Sequence, residues 1–262
     1  MHQAKKRFGQ NFLQDPAVIL HMMQAINPQP EEPVIEIGPG TGVLTQQLIS
    51  RTNQLTALEI DADLATKLQR TYQNQPHCTL LHTDALHYDW QALAISRTSA
   101  STKLRILGNL PYNIATALIT RILKANIPAC DCHFMVQKEV AERMIAKPGN
   151  TAYGYLSVLT HYFATVDYLF TVPPQAFVPK PKVDSAVIRL YPRTYPIPID
   201  SQKLDDWLKL LFTHKRKTIR NNIGRQLAEE CLKSLDAAAQ PMLQQRAEQL
   251  DLAQLIHLIT QL

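Results

Sequence analysis

The chain has 262 residues, 45% of them hydrophobic, enough to bury a real core in one large domain or in a large and a small one. No run approaches the roughly 18 continuous apolar residues of a membrane helix. The basic, polar opening Met1–Gln14 lacks the apolar segment of a secretory signal, so a cytoplasmic protein with no membrane partner is expected.

The net charge of +5 is concentrated in Lys203–Arg225, whose seven cations less Asp205 and Asp206 equal the whole of it. Such a cluster faces either phosphates or plain solvent.

In chain order, Val34–Ile37, Leu55–Ile60, Thr79–His82 and Leu104–Leu107 are short apolar runs that suit buried parallel strands. Helical spacing separates them, through Leu44, Leu48 and Ile49 after the first run and Leu64, Leu68 and Tyr72 after the second. The alternation predicts a doubly wound α/β sheet. A fifth strand is expected at Cys132–Gln137, with a helix opening at Lys138. Ala164–Val172 and Val183–Leu190 read as an edge hairpin, because Pro173, Pro174, Pro179 and Pro181 forbid helix between them.

The composition changes after Pro192. Tyr195-Pro196-Ile197-Pro198 reads as a linker, and helical spacing resumes at Leu204, Leu208, Leu211 and Phe212, then at Leu250, Leu255 and Leu258. The expected domains are residues 1–194 and a small helical domain, 195–262. Cys78, Cys130, Cys132 and Cys231 match neither zinc-ligand nor redox spacing, so reduced structural thiols and no metal are expected. No heptad or exposed apolar stripe argues for a dimer, and a monomer is expected.

The first strand runs into Glu36-Ile37-Gly38-Pro39-Gly40-Thr41-Gly42, followed by a helix. Glycines there let the backbone turn sharply and let a ligand approach the main chain, at the sheet edge where doubly wound proteins bind theirs. The dinucleotide pattern fails, because its third glycine would fall on Val43. Glu59 ends the second strand, placed to accept from ribose hydroxyls, and Asp84 follows the third, placed to accept from an adenine amine. Glycine loop and two acids at successive strand ends outline a pocket for an adenosine with a small polar tail. S-adenosylmethionine fits it best.

After the fourth strand comes Gly108-Asn109-Leu110-Pro111-Tyr112-Asn113. Adenine's exocyclic amine is a poor nucleophile, since its lone pair is delocalised into the ring. The Asn109 amide oxygen and the Leu110 carbonyl can accept both amine protons and favour a pyramidal nitrogen. Pro111 stiffens the turn, and Tyr112 can stack on the base. No strong base is needed, because the proton becomes acidic once the methyl has transferred. A flipped-out base wants a second aromatic wall, for which Phe177 is the candidate, a core phenylalanine being the equal alternative.

Together these residues resemble the ribosomal RNA adenine dimethyltransferases of the small subunit. The likeness covers nearly the whole chain: Phe8-Gly9-Gln10-Asn11-Phe12-Leu13, Glu36–Gly42, Glu59, Asp84, Asn109–Ile114, Gln137–Val140, Tyr153-Gly154, Phe177–Ser185 and Arg216–Asn222. It implies a Rossmann-like class I methyltransferase domain followed by a small helical, RNA-binding domain. It implies S-adenosylmethionine contacts from Asn11, Leu13, Gly38, Gly40, Glu59, Asp84 and Asn109. It also implies dimethylation of two adjacent adenosines in a hairpin loop near the 3′ end of small-subunit RNA, within an immature subunit late in assembly. Lys5, Lys6, Arg7, Lys180, Lys182, Lys215, Arg216, Lys217 and Arg220 would then hold phosphates.

The rivals are a large-subunit RNA methyltransferase of the antibiotic-resistance type and an assembly factor whose methylation is secondary. A DNA adenine methyltransferase usually has Asp where Asn109 stands, and a nicotinamide oxidoreductase fails on glycine spacing.

Overall fold

The computed structural model describes residue 5 and residues 8–97, 104–224 and 232–262. Its strands in chain order are β1 (Phe12–Leu13), β2 (Val34–Ile37), β3 (Leu55–Glu59), β4 (Cys78–His82), β5 (Leu104–Asn109), β6 (Ala129–Gln137), β7 (Ala164–Val172), β8 (Phe177–Val178) and β9 (Ser185–Pro192). Seven of them form one sheet in the order β4-β3-β2-β5-β6-β9-β7. β2 to β6 pair in parallel, and β9 runs antiparallel to β6.

Helices α1 (Pro16–Ile26), α2 (Val43–Ile49), α3 (Ala62–Thr71), α4 (Trp90–Arg97), α5 (Ala115–Lys124) and α6 (Lys138–Ile145) alternate with these strands. The central strands are buried on both faces, as parallel strands covered by helices must be. From β2 the chain steps outward to β3 and β4, then returns to β5 on the other side. The switch point, where ligands of such sheets bind, therefore lies between β2 and β5.

The apolar runs anticipated as strands all form strands. Helix α1, not anticipated, starts where the Asp15 carboxylate accepts from the Ala17 and Val18 N–H groups, with Pro16 in the first turn. Met22, Met23 and Ile26 of α1 join Leu44, Leu48, Leu107, Val187 and Phe177 in one buried cluster.

β7 and β9 are neighbours at the sheet edge, with two elements between them. One is a 3₁₀ turn, Pro174–Ala176, which corrects the expectation of no helix: proline at a first helical position has no bonded N–H to lose. The other is β8, which pairs antiparallel with β1, Phe12 opposite Val178 and Leu13 opposite Phe177.

The chain divides into two compact units, Met1–Ala141 with Thr165–Pro192, and Glu142–Ala164 with Arg193–Leu262. The stretch 142–164, expected above in the first domain, thus falls in the second unit. Its own bonds explain why. The Tyr155 hydroxyl donates to Asp205 at 2.5 Å, the Tyr153 hydroxyl donates to the Leu250 carbonyl at 3.1 Å, and the Tyr153 ring meets Phe212 edge-on. Within this unit α7 (Tyr155–Phe163), α8 (Ser201–Leu211), α9 (Ile219–Ile223) and the last helix, Leu252–Gln261, bury Leu204, Leu208, Leu255 and Leu258. Among the described residues no helix is long and apolar enough to cross a membrane.

Candidate active site

The carboxyl ends of β2, β3, β4 and β5 converge on a cleft that encloses about 700 Å³ of empty space, the open solvent at its mouth included. After β2 the chain turns through Gly38, Gly40 and Gly42 at φ 66°, 59° and 88°, a region that side-chain-bearing residues rarely enter. At Gly40 a β-carbon would also press on the Phe12 ring, 3.1 Å away. The turn leaves the Gly40 N–H pointing at β3, where it donates to Glu59 Oε2 at 3.0 Å; the Asp61 N–H donates to Oε1 at 2.9 Å. Two backbone donors use half of what a carboxylate can accept, so Glu59 keeps capacity for ligand hydroxyls.

No cation balances Glu59 among the described cleft residues. Burial pushes its carboxyl above the ordinary range, against the opposing pull of the Asp61 and Gly40 N–H groups. Glu36, wholly buried behind the glycine loop, is driven up to about 7 by burial and by the like charge of Glu59, although the Thr45 hydroxyl donates to it at 2.7 Å. The cleft contains two carboxylates, Glu59 and Asp84, and no lysine or arginine among its described lining residues. Such a site suits a ligand with a cationic centre and repels a nucleotide phosphate.

Asp84 follows β4 in a loop held from below. The Trp90 indole N–H donates to the Ala85 carbonyl at 2.8 Å, and Asp84 itself accepts from the Leu86 N–H at 2.9 Å. Its second oxygen lies 2.9 Å from the His87 ring.

β5 approaches β2 so closely that a β-carbon on Gly108 would sit 2.5 Å from the Ile37 carbonyl oxygen. This contact delivers Asn109 to the cleft beside the glycine loop. Asn109 Nδ2 donates to the Asn11 carbonyl at 2.9 Å, which commits the amide nitrogen and leaves Oδ1 as the acceptor end. The Leu110 N–H donates to the Met135 carbonyl at 3.0 Å, anchoring the turn to β6. Tyr112 lines the cleft, and its hydroxyl lies 2.6 Å from the Ser185 hydroxyl.

The remaining wall comes from the N-terminal segment, with Phe8, Gly9, Gln10, Asn11 and Phe12 all lining the cleft. β1–β8 pairing holds one end of this segment. At the other, Lys5 Nζ donates to Asp61 and Asp63, each at 2.6 Å, and Gln10 donates to Asp61 at 3.2 Å. Burial alone would raise the Asp61 carboxyl, but Lys5, Gln10 and the Asp63 N–H hold it down at about 2.

A family model, ribosomal RNA adenine dimethylase, matches residues 1–261. The chain belongs to that family. It is 44% identical over 259 residues to "Ribosomal RNA small subunit methyltransferase A" of Legionella pneumophila strain Corby, covering 97% of this chain and 98% of that one. A protein of the same name from Chromohalobacter salexigens is 44% identical over 237 residues, 90% of this chain and 84% of that protein.

Among solved structures, a Plasmodium falciparum dimethyladenosine transferase superposes with TM-score 0.77 at 22% identity, over 94% of this chain and 95% of that one. The 23S rRNA methyltransferase ErmE gives 0.65 at 25%, over 96% and 99%. The protein is thus a Rossmann-like class I methyltransferase that uses S-adenosylmethionine to methylate ribosomal RNA. The donor set agrees: two carboxylates with no lysine or arginine among the described lining residues, and an open glycine loop, suit an adenosine bearing a sulfonium. Among the described residues, no three His, Cys, Asp or Glu side chains are grouped to hold a metal ion.

Of the residues singled out from the sequence, Asn11, Gly38, Gly40, Glu59, Asp84, Asn109, Leu110 and Tyr112 line this cleft. Leu13 lines a smaller adjoining cavity on the other side of Phe12, with Glu36, Gly38 and Gly40. Phe177 is a correction. Its ring is 2% exposed within the α1–β1 core cluster and does not line the cleft, because pairing of β8 with β1 turns Phe177 inward and Val178 outward.

Lys5 is a second correction, since its ammonium is engaged by Asp61 and Asp63. Lys215 is a third: it is turned back onto the Tyr153 and Thr151 carbonyls at 3.0 and 3.3 Å. Lys180, Lys182, Arg216 and Lys217 are exposed, and Arg220 is half-buried in α9. Lys6, Arg7, Arg225 and Cys231 lie outside the described residues. Residue spacing missed Phe8, Gln10 and Phe12, which reach the cleft only by folding back across the sheet.

Proposed function

We propose that this enzyme dimethylates the N6 amines of two adjacent adenosines in the 3′-terminal hairpin loop of small-subunit ribosomal RNA. It acts in the cytoplasm, as a monomer, on an immature subunit late in assembly. The relatives named as small-subunit methyltransferases support the choice of RNA. The observation that carries the chemistry is the Asn109 amide, whose nitrogen is bound by Asn11.

With Nδ2 fixed, Asn109 Oδ1 and the Leu110 carbonyl accept the two protons of the target amine and steer its lone pair toward the donor. The Tyr112 ring stacks on the adenine. Glu59 takes the ribose hydroxyls and Asp84 the adenine amine of S-adenosylmethionine, which supplies the methyl group. The Gly38–Gly40 backbone and Asn11 close over its tail. Rate then comes from alignment more than from proton transfer. The second unit, with Arg216, Lys217 and Arg220, and the loop bearing Lys180 and Lys182 hold flanking phosphates, so binding weakens with added salt.

The test is transfer of labelled methyl groups to small subunits from cells that lack the modification, with Asn109→Ala alongside. Label on two adjacent adenines, reduced at least a hundredfold in the variant by loss of alignment, is the expected result. Label confined to large-subunit RNA would overturn the target. Tight binding without label would favour the assembly role alone.

A further inference from the structure

Tyr112 belongs to a turn, and nothing in the local backbone fixes its ring, since the second side-chain torsion of a tyrosine is broad. Its anchor comes from 73 residues away. The Tyr112 and Ser185 hydroxyls share a hydrogen bond of 2.6 Å. Ser185 is the first residue of β9, is wholly buried, and lies opposite Gln137 in the ladder with β6. Just before it, the Asp184 carbonyl accepts from the Lys138 N–H at 3.0 Å. The serine hydroxyl is therefore held by the sheet itself. No residue of β9 lines the cleft, so Ser185 reaches the site only through Tyr112.

We propose that Ser185 is a positioning residue for methyl transfer, its hydroxyl fixing the Tyr112 ring as one wall of the adenine subsite. The inference rests on the reading in which Tyr112 stacks on the target base. Losing the hydroxyl leaves the ring in place as apolar surface but lets it swing. Base affinity then changes little, while the fraction of bound adenines aligned for attack falls. A misplacement of about 1 Å can cost up to a hundredfold in rate, and a loosened ring should cost about tenfold.

The experiment compares Ser185→Ala, Ser185→Thr, Tyr112→Phe, Tyr112→Ala and the double variant Ser185→Ala/Tyr112→Phe on hypomethylated small subunits. kcat, KM for the particle and Kd for S-adenosylmethionine are measured. Quenching of 2-aminopurine at the target position of an RNA hairpin reports stacking. Ser185→Ala should lower kcat about tenfold with KM and cofactor Kd within about threefold, and should weaken the quenching. Ser185→Thr should restore both. The double variant should be no worse than either single change, because both remove the same bond.

Wild-type kcat in Ser185→Ala, with Tyr112→Ala inactive, would overturn the positioning role and leave the stacking role standing. Full activity in Tyr112→Ala would instead overturn the parent reading. Should Ser185→Ala fail to fold, Tyr112→Phe decides: it removes the bond without touching β9, and wild-type kcat and quenching there would overturn the proposal.

Discussion

The two ends of the central parallel strands treat buried charge in opposite ways. At the amino end of β5, Arg105 donates to Glu32 at 2.6 Å, to Asp131 at 2.7 Å and to the Ile26 carbonyl at 2.8 Å. Against the pull of burial, Arg105 keeps the Glu32 carboxyl low, and His133 with Arg105 keeps Asp131 low. At the carboxyl end, Glu36 and Glu59 have hydroxyl and amide donors but no cation among the described residues, and both are raised. The same strands thus carry a matched network at one end and unmatched acids at the other. Matched charges hold structure, while unmatched ones are tolerated where a ligand with a cationic centre completes them.

The largest test of this contrast is Arg105→Ala. It strands Glu32 and Asp131 together and should cost about 3–5 kcal/mol in urea denaturation, with activity per folded molecule unchanged. A cost below about 1 kcal/mol would mean that the network is no stronger than a surface pair.

Glu36→Gln probes the other end of the strands and should be smaller. The folded state holds the Glu36 proton more tightly than the unfolded chain, whose value is near 4.5, so the wild-type protein loses stability as pH rises from 4.5 to about 7 and is level above. The variant lacks that slope. Relative to wild type it should gain on the order of 3 kcal/mol between pH 4.5 and 8, read from denaturation midpoints in the absence of cofactor. A difference independent of pH would show that burial does not raise the Glu36 carboxyl above its unfolded value.

Lys5→Met is the mildest change. Its pairs with the buried Asp61 and the exposed Asp63 fasten the segment that walls the cleft. S-adenosylmethionine should bind more weakly in the variant, and added salt should narrow the gap to wild type. An unchanged Kd at low salt would mean that β1–β8 pairing alone keeps the segment in place.

The two parts of the site differed in legibility for a related reason. Glu59, Asp84 and Asn109 could be placed from the sequence because each ends an apolar run, and the end of a parallel strand in such a sheet is a ligand position wherever the chain goes next. The cations were harder to judge. Lys5 and Lys215 look like phosphate ligands in a basic chain, but each finds oxygen partners within its own unit: Asp61 lies 56 residues from Lys5, and the Tyr153 carbonyl 62 from Lys215.

By itself the sequence determined the strand–helix alternation, the glycine turn and the order of polar groups along the cleft, because these depend on periodicity and on residues a few positions apart. Only the tertiary structure decided that Phe8, Gln10 and Phe12 close the cleft, that Phe177 packs in the core, that 142–164 belongs with the C-terminal unit, and that Ser185 holds Tyr112. Each of these rests on a contact between groups separated by many residues. Whether such a contact forms depends on how strands and helices pack together, a quantity that local pattern does not contain.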